Sequence, residues 1–375
     1  MMVSIWAILL AIAAGDGTLP IKNGDRIVFV GDTIIERDAA YGYLETEIIR
    51  RSPDFKLTFR NLGWSGDTPA GISRAYFDSP DVGFKRLIEQ VKSAKPTILV
   101  VGYGMADSLE NASPQAFEAS MNHFLDSIKD VPARLVFLSP VNLSPARIKA
   151  EHSKLLTAYA GVIKKIADER KGQFVDLTSK SPAKELVDAN GIHLNEAGHR
   201  WFASEVLSQL KIPDKTPELS IIGPLVKTEE IAFGEVTTSM GPTALPSSIA
   251  ESPTIEVANE VLKPGNYIFS VDDDQLCVAT AKEWKHPTRL QISAWQSQTN
   301  SLRQLVRRKN ELYFQRYRPQ NITYLLGFRS YEQGQNAREI EQLDPMIAEL
   351  EKKIDTLRIP TLRKCSWTKM NGGEK

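Results

Sequence analysis

Between Arg26 and Leu210, short apolar runs bounded by turn residues alternate with segments of helical period, and this alternation constrains the fold more than any other feature. Runs that are apolar throughout have to be covered on both faces, and the helical segments between them supply that cover. The pattern therefore predicts an α/β domain around a mostly parallel sheet. Five strands are expected, at residues 26–30, 57–61, 97–103, 134–139 and 173–177. One intervening helix carries Leu155, Leu156, Tyr159, Val162, Ile163 and Ile166 on one face and Lys154, Lys164, Lys165 and Glu169 on the other. A last helix follows His193, with Phe202, Val206 and Leu210 as its buried stripe.

At 375 residues the chain exceeds what one hydrophobic core usually supports, so a second folded unit or a large addition is expected. After Pro213 the texture changes: Pro, Ser and Thr become frequent up to about Pro253 and no helical period survives. Residues 261–278 then alternate around Pro264-Gly265-Asn266, which predicts a hairpin turning there. Residues 301–314 and 345–357 predict two helices, the second capped by Asp344 with Pro345 at its first position. The expected organisation is a leader at 1–17, an α/β domain at 22–213, a β-rich insertion or linker at 214–290, and a helical extension packed on the α/β domain at 291–375.

The leader is the apolar run from Val3 to Ala14, ending in small residues and followed by polar Asp16 and Gly17. It reads as a signal peptide, although no Lys or Arg opens it, and a buried N-terminal helix is the alternative. No stretch is long enough for a membrane span, and a secreted or periplasmic location is expected. Lys and Arg balance Asp and Glu at 46 each, without a basic run, which argues against a nucleic-acid partner. Cys277 and Cys365 lie far apart and have no metal-type spacing; two separate buried thiols are expected ahead of one bridge. Neither a metal nor a cofactor is expected.

In open parallel sheets, ligands collect beyond the carboxyl ends of the strands. Four loops there are distinctive: Val30-Gly31-Asp32-Thr33, Asn61 to Thr68 (NLGWSGDT), Gly102 to Asp107 (GYGMAD), and Asn190-Gly191-Ile192-His193 before the closing helix. In order and spacing this set resembles the SGNH (GDSL) hydrolase family, whose blocks read Gly-Asp-Ser, a Gly-bearing turn, Gly-x-Asn-Asp and Asp-x-x-His. The resemblance implies a three-layer, flavodoxin-like fold with a five-stranded parallel sheet, and cleavage of a small-molecule or carbohydrate ester. It places Thr33 as nucleophile, His193 as base and Asn190 as its orienting partner, with the amides of Thr33 and Gly66 as the oxyanion hole. Asp32, Trp64, Ala106 and Asp107 would line the substrate site, Trp64 as a sugar-stacking platform or else as a core residue.

Three positions depart from the family pattern. Thr33 keeps the hydroxyl of Ser but adds a methyl that crowds attack. Ala106 stands where an Asn amide would complete the oxyanion hole, and an ionised Asp107 accepts hydrogen bonds without donating any. Asn190 replaces the Asp that would stabilise an imidazolium and set its tautomer, with Asp188 a poorly placed substitute. These departures make a catalytically impaired binding or interaction protein the alternative.

The stretch 310–336 is dense in polar and aromatic residues, among them Arg316, Arg318, Gln320, Asn321, Arg329, Glu332, Gln335 and Asn336. It resembles an extension found in a secreted bacterial subgroup whose blocks often read Gly-x-Thr and Asn-Gly-Ile-His. A buried network packing the extension onto the sheet is expected in preference to a direct grip on ligand.

Overall fold

The computed structural model describes residues 19–143, 150–214, 217–221, 229–231, 235–250, 253–319 and 340–370. The α/β part runs β1 (Arg26–Gly31), α1 (Thr33–Tyr41), α2 (Tyr43–Arg51), β2 (Thr58–Gly63), α3 (Pro80–Ala94), β3 (Ile98–Gly102), α4 (Met105–Leu109), α5 (Pro114–Ser127), β4 (Arg134–Leu138), α6 (Ala150–Glu169), β5 (Gln173–Val175) and α7 (Glu196–Gln209). The remainder comprises β6 (Glu218–Ile221), β7 (Glu229–Ile231), β8 (Glu235–Met240), β9 (Ile255–Asn259), β10 (Asn266–Val271), β11 (Asp274–Thr280), β12 (Thr288–Leu290), α8 (Ser293–Tyr317), α9 (Leu343–Leu357) and β13 (Arg363–Lys369).

All five predicted strands form one parallel sheet in the order β2-β1-β3-β4-β5, giving the expected three-layer α/β fold. Alternate residues of each strand feed opposite cores, because successive side chains leave a strand on opposite faces. Val28, Val30, Leu99, Val101 and Phe137 join α3, α5 and α6 on one face. Ile27, Phe29, Phe59, Val100 and Val136 join α2 and α7 on the other. This second core does not stop at the sheet's layer; it continues through Ile255, Phe269, Trp284, Trp295, Leu302 and Trp367 of the added region.

The added region contains a sheet of order β11-β10-β13-β8-β7 and a three-stranded sheet β12-β9-β6. Several expectations change here. The hairpin pairs β10 with β11 and turns at Asp272, whose φ of 53° an Asp tolerates, while Pro264-Gly265 merely leads into β10. The last strand, β13, lies between β10 and β8, so the expected boundary near residue 290 cuts through strands of one sheet. The helix that was to be capped by Asp344 begins one residue before it, with Gln342 at the N-cap, and the Asp344 carboxylate instead holds Arg316 at 2.9 Å. Both cysteines are free, Cys365 buried and Cys277 partly exposed; burial pushes the Cys365 thiol up to about 12. Residues 1–18 and 320–339 lie outside the described residues, and with them the expected leader and most of the polar stretch.

Helix α8 packs along α1 and α2. Successive polar side chains of α8 donate to the carbonyls at the end of α1, groups that have no partner inside their own helix. Asn310 reaches Ala39 O at 3.2 Å, Arg307 reaches Ala40 O at 2.7 Å, and Arg303 reaches Tyr41 O at 3.1 Å. Lys309, buried, sits 2.5 Å from buried Glu45 of α2. The added region thus braces the helix that carries Thr33.

Candidate active site

Strand β1 ends at Gly31, where a Cβ would meet Gly102 O of β3 at 2.1 Å; only glycine lets the two strand ends approach so closely. Asp32 then caps α1. Its carboxylate accepts from Ile34 N at 3.3 Å and from Met105 N at 3.0 Å, tying the β1 exit to the β3 exit. Asp32 is therefore buried and structural; desolvation pushes it up to about 6, against the backbone N–H groups that favour its charge.

Thr33 is the first residue of α1, so its N–H has no acceptor within the helix. Its Oγ1 receives a hydrogen bond from Gly66 N at 3.0 Å. Gly66 sits in the β2-exit turn with φ +69°, a left-handed conformation that glycine adopts without strain. The turn is clamped. Glu36, one turn along α1 from Thr33, accepts from Ser65 N at 2.6 Å and from Ser65 Oγ at 2.9 Å. Arg318, at the end of α8, holds the same carboxylate at 2.8 Å, and Tyr317 donates to Gly63 O at 2.5 Å. Beneath the turn, Asp67 and Arg74 form a fully buried ion pair at 2.7 Å.

His193 faces the same cleft from the loop before α7; both it and Thr33 belong to the cleft wall, with Gly66, Met105, Ala106 and Ile192. Among the described residues no Thr33–His193 hydrogen bond is formed, although both line the one cleft. Asn190 lies against the imidazole. Its Oδ1 accepts from Ile192 N at 3.0 Å and from His193 N at 3.2 Å, which leaves Nδ2 to face His193 Nδ1 at 2.8 Å. An amide N–H there is a donor, so a neutral His193 accepts at Nδ1 and carries its proton on Nε2. A base needs the opposite tautomer. Asp188 does not substitute for the missing carboxylate, since it pairs with Arg37 of α1 at 2.8 Å. Desolvation and the nearby Arg37 charge lower the His193 pKa from its ordinary value, against Asp188, and favour the neutral ring.

Three substrate-site expectations change with the fold. Trp64 is 1% exposed, its ring covered by the guanidinium groups of Arg318 at 4.2 Å and Arg74 at 5.0 Å, so it offers no open face to a sugar. Asp107 is buried and outside the cleft wall; burial and the neighbouring Asp32 charge push it up to about 8, far from the ordinary carboxylate that was expected. Asp32 turns out to be a brace behind the wall it helps to form. Ala106 does line the cleft, contributing only a methyl where a side-chain donor was missing.

Sequence reasoning missed Arg37 and Glu36. Arg37 follows Thr33 by four residues and so shares its face of α1. His199 of α7 is fully buried in the cleft wall, stacked on Tyr41, with Nδ1 3.4 Å from Asp38 and Nε2 unpartnered. Among the described residues, no cluster of His, Cys, Asp and Glu is arranged to hold a metal.

Residues 24–201 match the GDSL-like lipase/acylhydrolase family. This segment is a GDSL-like lipase/acylhydrolase domain. A solved structure described as a gut microbial diltiazem-metabolizing enzyme superposes with a TM-score of 0.66 at 15% identity, covering 94% of this chain and 99% of its own. The GDSL-like domain together with its added region is therefore a shared fold. An acetylxylan esterase from Geobacillus stearothermophilus, solved as a catalytic mutant, aligns with 51% of this chain and 96% of its own at 19% identity, with a TM-score of 0.42. A search of curated proteins finds no significant match.

Proposed function

We propose that this protein hydrolyses a carboxylic ester, using Thr33 as nucleophile and His193 as general base. The supporting observation is the Thr33 hydroxyl held by Gly66 N–H at 3.0 Å in a cleft shared with His193. The hydroxyl oxygen attacks the carbonyl carbon while its proton passes to the imidazole. The tetrahedral oxyanion is received by the amides of Thr33 and Gly66, and the imidazolium protonates the departing alcohol. Water then repeats the sequence on the acyl-enzyme. For this cycle the Asn190 amide has to turn its oxygen toward Nδ1–H, giving up two backbone hydrogen bonds. Export from the cytoplasm and a carbohydrate acetyl ester as substrate belong to the same proposal.

A second function, carbohydrate binding with little turnover, draws support from the Asn190 contact and the missing donor at Ala106. Hydrolysis of p-nitrophenyl acetate by the purified protein and by Thr33→Ala and His193→Ala distinguishes them. Turnover abolished by both changes is expected. Equal background rates in all three proteins refute the hydrolase and leave the binding protein standing.

A further inference from the structure

Helix α8 is anchored at one end in the added region and reaches the Gly66 turn with the other. In its first turns Trp295 Nε1 donates to Thr361 O at 2.8 Å, and Gln298 Nε2 donates to Ile359 O at 2.7 Å. Leu302 and Val306, both fully buried, continue the core shared with that region. With 25 residues and a rise of about 1.5 Å for each, the helix is a rod of roughly 37 Å. Side chains at its far end are therefore carried to the turn by the packing of the added region.

Two of the contacts that fix the turn depend on this end of α8. Tyr317 donates its O–H to Gly63 O at 2.5 Å. Arg318 Nη1 donates at 2.8 Å to Oε2 of Glu36, the same oxygen that accepts from Ser65 N at 2.6 Å. Its guanidinium also lies 4.2 Å from the Trp64 ring centroid. Arg318 thus covers one residue of the turn and holds the next through Glu36, and the Gly66 N–H follows directly on that held residue, 3.0 Å from Thr33 Oγ1. Without a cation, the Glu36 carboxylate would be hydrated and free to change rotamer; a charge-assisted hydrogen bond fixes it. The two side chains are only 26% and 20% exposed, so water and salt screen this pair less than one on the open surface. Two residues earlier on α8, Arg316 instead pairs with Asp344 of α9 at 2.9 Å.

We propose that Arg318 is a positioning residue for the oxyanion donor: it holds Glu36, Glu36 holds Ser65, and the Gly66 N–H is thereby kept on the Thr33 oxygen and on an oxyanion formed beside it. Its role rests on the ester-hydrolase proposal and extends it. The oxyanion hole then depends on a residue far outside segment 24–201, which matches the family, so the added region takes part in turnover as well as in folding.

Arg318→Gln, Arg318→Lys and Arg316→Gln, each made in the full chain, are assayed on p-nitrophenyl acetate. Arg318→Gln is expected to lower kcat at least tenfold with KM within twofold, because the loosened amide matters most in the transition state. Arg318→Lys keeps a cation for Glu36 and is expected to retain more kcat than Arg318→Gln, while Arg316→Gln leaves kcat unchanged. An equal loss in Arg316→Gln, or an unchanged rate in Arg318→Gln, overturns the role of Arg318. In the double variant Glu36→Gln/Arg318→Gln the rate should fall no further than in the worse single variant, since both substitutions act on one peptide; losses that multiply overturn it. Hydrogen–deuterium exchange of the peptide 63–67 reads the turn without turnover, with thermal unfolding followed alongside and Arg318→Lys taking the place of Arg318→Gln if the latter unfolds. At least tenfold faster exchange in the variant is expected. If the unaltered protein cleaves no ester, faster exchange still supports the grip of Arg318 on the turn and the hydrolase proposal alone fails. Unchanged exchange removes that grip whether or not an ester is cleaved.

Discussion

The two walls of the cleft are built on different physical terms. On the Thr33 wall, nearly every polar group is committed to a partner that is itself held: Glu36 grips the Gly66 turn, Arg318 grips Glu36, and a buried Asp67–Arg74 pair lies beneath. On the His193 wall, a short loop is held by exposed Asn190 and by the partly exposed Arg37–Asp188 pair. The first wall holds the Gly66 N–H against the Thr33 hydroxyl. The second holds the imidazole in place but in the tautomer that donates from Nε2. A fixed geometry is thus no guarantee of a fixed protonation pattern, and the contrast between the walls can be tested on each side.

The largest effect is expected from Asn190→Asp. A carboxylate at that position accepts from Nδ1–H, frees Nε2 to act as a base and stabilises the imidazolium; the reverse change in a serine protease triad costs about 10⁴-fold in kcat. A rise of at least a hundredfold in kcat on p-nitrophenyl acetate is expected, and an unchanged rate would show that the His193 wall does not limit turnover. Next is Ala106→Asn, which supplies a side-chain donor to the oxyanion and should raise kcat by up to about 10²- to 10³-fold. A rise confined to short acyl esters would sharpen the picture, since the same amide narrows the cleft.

On the braced wall, Glu36→Gln weakens the grip on Ser65 and Arg318. A fall in kcat of roughly tenfold with KM unchanged is expected, because a loosened Gly66 amide stabilises the transition state less without altering ground-state binding. Thermal unfolding recorded alongside should move little; a matching loss of stability would mean that the clamp serves the fold alone. The smallest effect concerns pH. Arg37 disfavours the charged form of His193, so Arg37→Gln raises the His193 pKa and also releases Asp188, which acts in the same direction. The acid limb of the kcat/KM profile, which follows loss of the neutral ring as pH falls, should therefore move to higher pH in the variant. An acid limb at the same pH would show that another group controls it.

The candidate residues were legible because each follows a strand whose end is marked locally. Gly31, Gly63 and Gly102 close β1, β2 and β3, and Asn195 caps α7 just after His193. What stayed hidden depended on partners distant in sequence. Trp64 reads equally well as a sugar platform until Arg74 and Arg318 are seen on its ring. Asp107 reads as ionised until burial beside Asp32 raises it to about 8. Arg318 was expected in a packing network, and its contact with Glu36 spans 282 residues. The β10–β11 turn was misread because Pro-Gly is a strong local signal, whereas the competing Asp272-Asp273 turn is chosen by pairing with β13.

By itself, the sequence determined the parallel sheet, the order of the four site-bearing loops and the replacement of three family side chains, since periodicity and turn chemistry act over a few residues. Only the tertiary structure decided which amide atom of Asn190 faces the imidazole, which carboxyl groups burial shifts upward, and how α8 packs against the helix that carries Thr33. Those outcomes depend on desolvation and on hydrogen-bond competition among groups that meet only when the chain is folded.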